Sequence, residues 1–115
     1  MSSRCHRDDE RVTDALDAVR KIASWRGTRD SSDDMFRSAV LRELGVVGEA
    51  VNHLSKEYTS DRPGVRWRQI AGLRNVLVHE YWDTAWPLIE RLLDEHLPTL
   101  QTQLERDVRS PTEQE

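Results

Sequence analysis

The run Arg74-Asn75-Val76-Leu77-Val78-His79-Glu80-Tyr81 gathers a guanidinium, a carboxamide, an imidazole and a phenol into one short stretch of chain. An unperturbed imidazole titrates near pH 6.5, at about neutrality, so His79 offers a usable fraction of neutral base. Arg74 offers a fixed fork of donors for charge that builds on phosphate oxygens. That pair suits cleavage of RNA, which carries its own nucleophile. A base removes the 2′-hydroxyl proton, the oxygen attacks the adjacent phosphate, and a 2′,3′-cyclic phosphate and a free 5′-hydroxyl result. Asn75 lies four residues before His79, on the same face of a helix, where its amide can orient the imidazole or hold a phosphate oxygen. The scheme calls for no metal and no cofactor. His6, His53 and His96 show no ligand spacing with one another and are read as structural or solvated.

Geometry constrains how these groups can meet. Five residues of α-helix turn the chain by roughly 500°, so on one straight helix Arg74 and His79 project about 140° apart. Either the helix is distorted, or the site is a cleft between two copies of the chain related by a two-fold axis. Tyr81, nearly two full turns after Arg74, shares its face and lies either beside such a cleft or buried in the interface. Arg62, Arg66, Arg68 and Arg74 occur with no acid between Arg62 and His79, a local basic patch on a chain of net charge -4. Arg66 and Arg68 are the candidate RNA contacts. Trp67 or Trp82 could stack on bases, although tryptophans are more often core or interface groups.

The elements that must position these residues are helical. A hydrophobic fraction of 37% and a charged fraction of 33%, with few Gly and Pro, favour solvated helices around a thin apolar seam. Val12, Leu16, Val19 and Ile22 mark one helix over 8–25, ended by Gly27. Phe36, Val40, Leu44, Val47, Val51, Leu54 and Tyr58 predict a second, about six turns long, after a polar joint rich in candidate N-caps. Gly45 and Gly48 inside it point to a close neighbour. A Pro63-Gly64 turn precedes a third helix from Trp67 to Tyr81 or Trp82, with Ile70, Leu73 and Leu77 inward. A fourth carries Trp86, Ile89, Leu93, Leu97, Leu100, Leu104 and Val108, and Pro98 should kink or divide it. The expectation is an all-α, up-and-down bundle of four to five helices forming a homodimer. Its domain spans 8–109, between a flexible N-terminus at 1–7 and a disordered tail at 110–115. One cysteine, Cys5, and no membrane-length apolar run fit a cytoplasmic protein away from membranes.

The Arg-x4-His-x-Tyr pattern of Arg74, His79 and Tyr81 resembles the HEPN superfamily of ribonucleases, and within it the HepT-like toxins. Gly48-Glu49-Ala50 is similar to the family's Gly-Glu-Ala, and Trp67 to Arg74 resembles its approach to the arginine. The resemblance covers about residues 8 to 106. It implies a helical dimer whose shared cleft cleaves RNA, with Arg74 and His79 catalytic. Glu49 either reaches that cleft and holds Arg74 or is simply solvated. It also implies a toxin–antitoxin pair in which a nucleotidyltransferase partner, MntA, silences the nuclease by transferring AMP to Tyr81. The alternative is a non-catalytic subunit of the same fold that binds a nucleotidyltransferase, which would have no need of both Arg74 and His79.

Overall fold

The computed structural model describes residues 3–28, 32–76 and 86–113, and within these the backbone is helical apart from short joints. The helices are α1 (Ser3–Thr28), α2 (Asp34–Asn52), α3 (Lys56–Ser60), α4 (Trp67–Ala71), α5 (Leu73–Val76) and α6 (Trp86–Glu113). The fold is all-α. α1 packs against both α2 and α6, while α4 and α5 pack against α2. The bridging pairs run in opposite senses: Asp8 meets Ser55 and Lys21 meets Glu43, just as Arg20 meets Glu105 and Arg26 meets Asp94. α1 is therefore antiparallel to both neighbours, the topology of an up-and-down bundle.

The apolar stripes expected of the long helices form the core, except that Val108 at the end of the fourth is exposed and Leu54 in the second is only partly buried. Val19, Ile22, Val40, Leu44, Val47, Ile89 and Leu100 are all buried, and Ile70 and Leu73 close one side. Burial of such side chains contributes about 1.5–3 kcal/mol each before entropy is set against it. Trp86 also sits in the core, edge-on to Phe36 and beneath the Arg37 guanidinium. No helix among the described residues is long and apolar enough to cross a membrane.

Several boundaries differ from the sequence expectation. α2 stops at Asn52, well before Tyr58, and the chain restarts as α3 behind an N-cap at Ser55. Asp8 causes the break. Its buried carboxylate accepts from the Ser55 amide (2.9 Å) and the Ser55 hydroxyl (2.6 Å), while the Ser55 oxygen accepts from the Tyr58 amide at 3.1 Å. The expected third helix is likewise broken at Gly72, with α4 before it and α5 after it. Pro98 neither divides nor ends α6, which continues from Trp86 to Glu113. Pro98 and Asp94 both face solvent, so water can serve the carbonyl that the proline leaves without a donor. Helical backbone begins at Ser3 and reaches Glu113, beyond the boundaries expected at residues 8 and 109.

The joint that carries the candidate basic patch is strapped to α6. Asp107 accepts from Arg62 Nε at 2.9 Å and from the Tyr58 hydroxyl, and Arg62 Nη1 donates to the Tyr58 carbonyl at 2.9 Å. The Arg62 guanidinium lies 3.8 Å above the Tyr58 ring, and the Trp67 indole donates to the Arg62 carbonyl at 2.8 Å. Burial first, then the bond to Asp107, pushes the Tyr58 phenol well above its ordinary range, so it remains a neutral donor. Arg62 and Trp67 are therefore structural here, and the patch reduces to the other arginines. Asp107→Ala strands a phenol and a guanidinium together, and should cost about 2 kcal/mol. The expected readout is a lower urea midpoint at unchanged slope, and an unaltered midpoint would deny the strap its role.

Candidate active site

Gly48 is the residue that lets α5 approach α2. A Cβ placed on it would lie 3.1 Å from the Arg74 amide nitrogen, 3.2 Å from Arg74 Cβ and 3.5 Å from the Ala71 carbonyl oxygen. Those contacts are largely with backbone, which cannot swing aside as a side-chain tip can. The helical glycine that costs up to about 1 kcal/mol relative to alanine is thus tied to the placement of Arg74.

One residue further along α2, the Glu49 carboxylate accepts from Arg74 Nη1 at 2.8 Å. Both side chains remain roughly half exposed, so the pair contributes little to stability, while it orients the guanidinium over the α2–α5 junction. Among the described residues the guanidinium makes its side-chain contact at Nη1, and its other donors can serve a second anion. The opposite carboxylate oxygen of Glu49 lies 3.5 Å from His53 Nδ1, and that same nitrogen is 2.8 Å from the Glu49 carbonyl. Glu49 thus stands between an arginine and a histidine. In the sequence His53 reads as structural or solvated, although its spacing of four from Glu49 puts the two on one helix face.

Asn75 follows Arg74, and its side chain is exposed while its amide nitrogen donates to the Gly72 carbonyl at 3.0 Å. Arg66 caps α4 without a side-chain bond, and Arg68 lies in the first turn of that helix; both are exposed. The structure therefore brings Glu49 and Arg74 together and leaves Arg66 and Arg68 at the far end of α4. His79, Tyr81 and Trp82 lie outside the described residues. Among the described residues no group of three His, Cys, Asp or Glu side chains is arranged to hold a metal ion.

A half-exposed arginine held by a glutamate from a neighbouring helix, five residues ahead of a histidine, sits in a segment that matches a known family. Residues 12–106 match the family described as Ribonuclease HepT-like. The chain belongs to the HepT-like ribonuclease family. The matched segment contains Glu49, Arg74, Asn75, His79 and Tyr81. This HepT-like chain is 31% identical over 74 residues to "Putative RNase MJ1380" of Methanocaldococcus jannaschii, covering 64% of this chain and 68% of that one. It is 35% identical over 72 residues to "Putative RNase TTE0752" of Caldanaerobacter subterraneus, covering 63% and 64% respectively. A protein of Thermococcus cleftensis named "Probable ribonuclease HepT" is 25% identical over 105 residues, 90% of this chain and 96% of its own. No solved structure matches the chain.

The tight packing at Gly48 gives this HepT-like chain a specific sensitivity. Gly48→Val would push α5 away from α2 and carry Arg74 with it, and a displacement of about 1 Å can cost roughly 100-fold in rate. The expected result is a large drop in turnover with a much smaller change in the urea midpoint. Turnover that falls only as far as the folded fraction does would show that Gly48 serves packing alone.

Proposed function

We propose that the chain is a metal-independent endoribonuclease toxin of a toxin–antitoxin pair. The observation that carries this reading is the Arg74 guanidinium, oriented by Glu49 and still open to solvent, just ahead of His79 in a chain of a ribonuclease family. In the reaction His79 takes the proton of the 2′-hydroxyl, and the resulting oxygen bonds to the adjacent phosphorus. The bond from phosphorus to the 5′-oxygen breaks, and the departing oxygen gains a proton. Arg74 stabilises the charge that accumulates on the non-bridging oxygens, using donors that the Glu49 contact leaves available. Asn75 orients the imidazole or a phosphate oxygen. The site is shared across a homodimer, which reconciles the diverging directions of Arg74 and His79. A nucleotidyltransferase antitoxin silences it by placing AMP on Tyr81.

The experiment is cleavage of a labelled RNA by the purified chain, with EDTA present throughout, followed by analysis of the new ends. The expected result is undiminished cleavage that leaves 2′,3′-cyclic phosphate and 5′-hydroxyl ends. Activity lost in EDTA and restored by magnesium would refute the mechanism.

A further inference from the structure

A groove runs between the joint at residues 61–66 and α6. Its first part is a cavity of about 430 Å³ lined by Arg66, Ile70, Glu95, His96 and Thr99. It continues, across the shared Gly64, Val65 and Thr99, into a second cavity of about 400 Å³ that passes Thr102 and Gln103 to Arg106. Thr99, Thr102 and Arg106 fall at spacings of three and four, so one face of α6 forms the wall. Val65 and Ile70 are buried beneath.

The lining is unusual for a packing defect. The His96 side chain is only 10% exposed, yet its nearest charged neighbour, Glu95, is 3.9 Å from Nε2, too far for a hydrogen bond. Arg66 and Arg106 stand towards the two ends of the groove, and neither has an ion-pair partner among the described residues. Two guanidinium groups separated along a channel, with hydroxyls between them, fit an extended polyanion better than one compact anion. The lining contains no Phe, Tyr or Trp, and the His96 imidazole is only 10% exposed, so the contacts available are chiefly to a sugar–phosphate backbone. The overall charge of -4 also means that a polyanion must be met by a local track of this kind.

We propose that this groove is a track for single-stranded RNA, an extension of the substrate site that rests on the ribonuclease reading above. Arg66 and Arg106 each hold a phosphate. Thr99, Thr102 and His96 contact the phosphate and sugar oxygens between them, and the Glu95 carboxylate accepts from a ribose 2′-hydroxyl, a group that only RNA provides. Arg66 caps α4, the short helix whose other end leads through Gly72 to α5 and Arg74.

The test uses fluorescein-labelled dT12, which has the phosphates but no 2′-hydroxyl and so cannot be cut by the proposed chemistry. Its affinity is measured over a range of salt concentrations. For single strands the slope of log K against log salt is about -0.7 per phosphate contact, so Arg66→Gln and Arg106→Gln should each flatten it by about 0.7. Arg66→Lys keeps the charge and should retain the wild-type slope, as should Lys21→Gln on α1, away from the groove. Far-UV circular dichroism of each variant shows that it is folded. Wild-type slopes in both glutamine variants, or no binding of dT12 by the wild type, would overturn the track. Flattened slopes with no cleavage of U12 by the wild type would sink the ribonuclease reading and leave the track standing; cleavage of U12 with unchanged slopes would do the reverse.

Discussion

Arg74→Ala is expected to reduce RNA cleavage by about 100- to 1,000-fold, the usual consequence of removing one donor that stabilises charge in the transition state. His79→Ala removes the base and should cost about 100- to 10,000-fold. Neither loss should reflect unfolding. The Arg74 contact to Glu49 is roughly half exposed, and exposed ion pairs contribute less than about 1 kcal/mol. Arg74→Lys should recover little, because an ammonium cannot bond Glu49 and a phosphate through one planar fork. If the site is shared, mixing the two dead variants should restore activity. A mixed dimer then holds one site with both groups and one with neither, so random reassortment returns about a quarter of wild-type activity. Full activity in a monomer, or in Arg74→Ala alone, would defeat this arrangement.

Tyr81→Phe is expected to give an all-or-none effect in the presence of the antitoxin. Transfer of AMP requires the phenolic oxygen to bond to the α-phosphorus of ATP while the bond to the departing pyrophosphate breaks and the phenolic proton is lost. Phenylalanine keeps the ring and lacks that oxygen. The modified tyrosine would add a phosphate charge and a bulky base, and the helical spacing of seven from Arg74 predicts that both compete with RNA for the guanidinium. Cells that co-express the transferase should therefore survive the wild-type chain and be arrested by Tyr81→Phe. In those cells the wild-type chain, and not Tyr81→Phe, should gain the mass of an adenylyl group. A Tyr81→Phe chain that is still modified and neutralised would place the modification elsewhere. One that is harmless even without the transferase would assign the tyrosine to folding or catalysis.

The long helices were legible because their apolar periodicity is a direct record of burial: Val12 to Ile22, Phe36 to Val51 and Ile89 to Leu104 all face the core. The same periodicity misled at Tyr58. That residue is buried at the spacing an unbroken α2 would give, but it belongs to a separate helix. The cause is Asp8, a partner 47 residues away that no local window can include. Arg62 failed in the same manner, since its partner Asp107 lies 45 residues further on. A run of arginines is indistinguishable in sequence from a strap to a distant carboxylate. Gly48 shows the opposite case. A glycine in a strong helical pattern signals close approach, and the backbone of Arg74 is what approaches. Of the motif from Arg74 to Tyr81 the described residues include only Arg74, Asn75 and the backbone of Val76, and Arg74 follows a break at Gly72 that apolar periodicity runs straight through.

Removing one oxygen from the substrate shows whether the 2′-hydroxyl is the nucleophile. A defined RNA is first cleaved by the purified chain to locate a susceptible bond, and the same strand is then made with a 2′-deoxynucleotide immediately 5′ of that bond. Cleavage at this bond should disappear while any other susceptible bonds are still cut, because the missing hydroxyl is the nucleophile. Continued cleavage at the deoxy position would contradict it, since the attacking group would then have to come from water or from the protein.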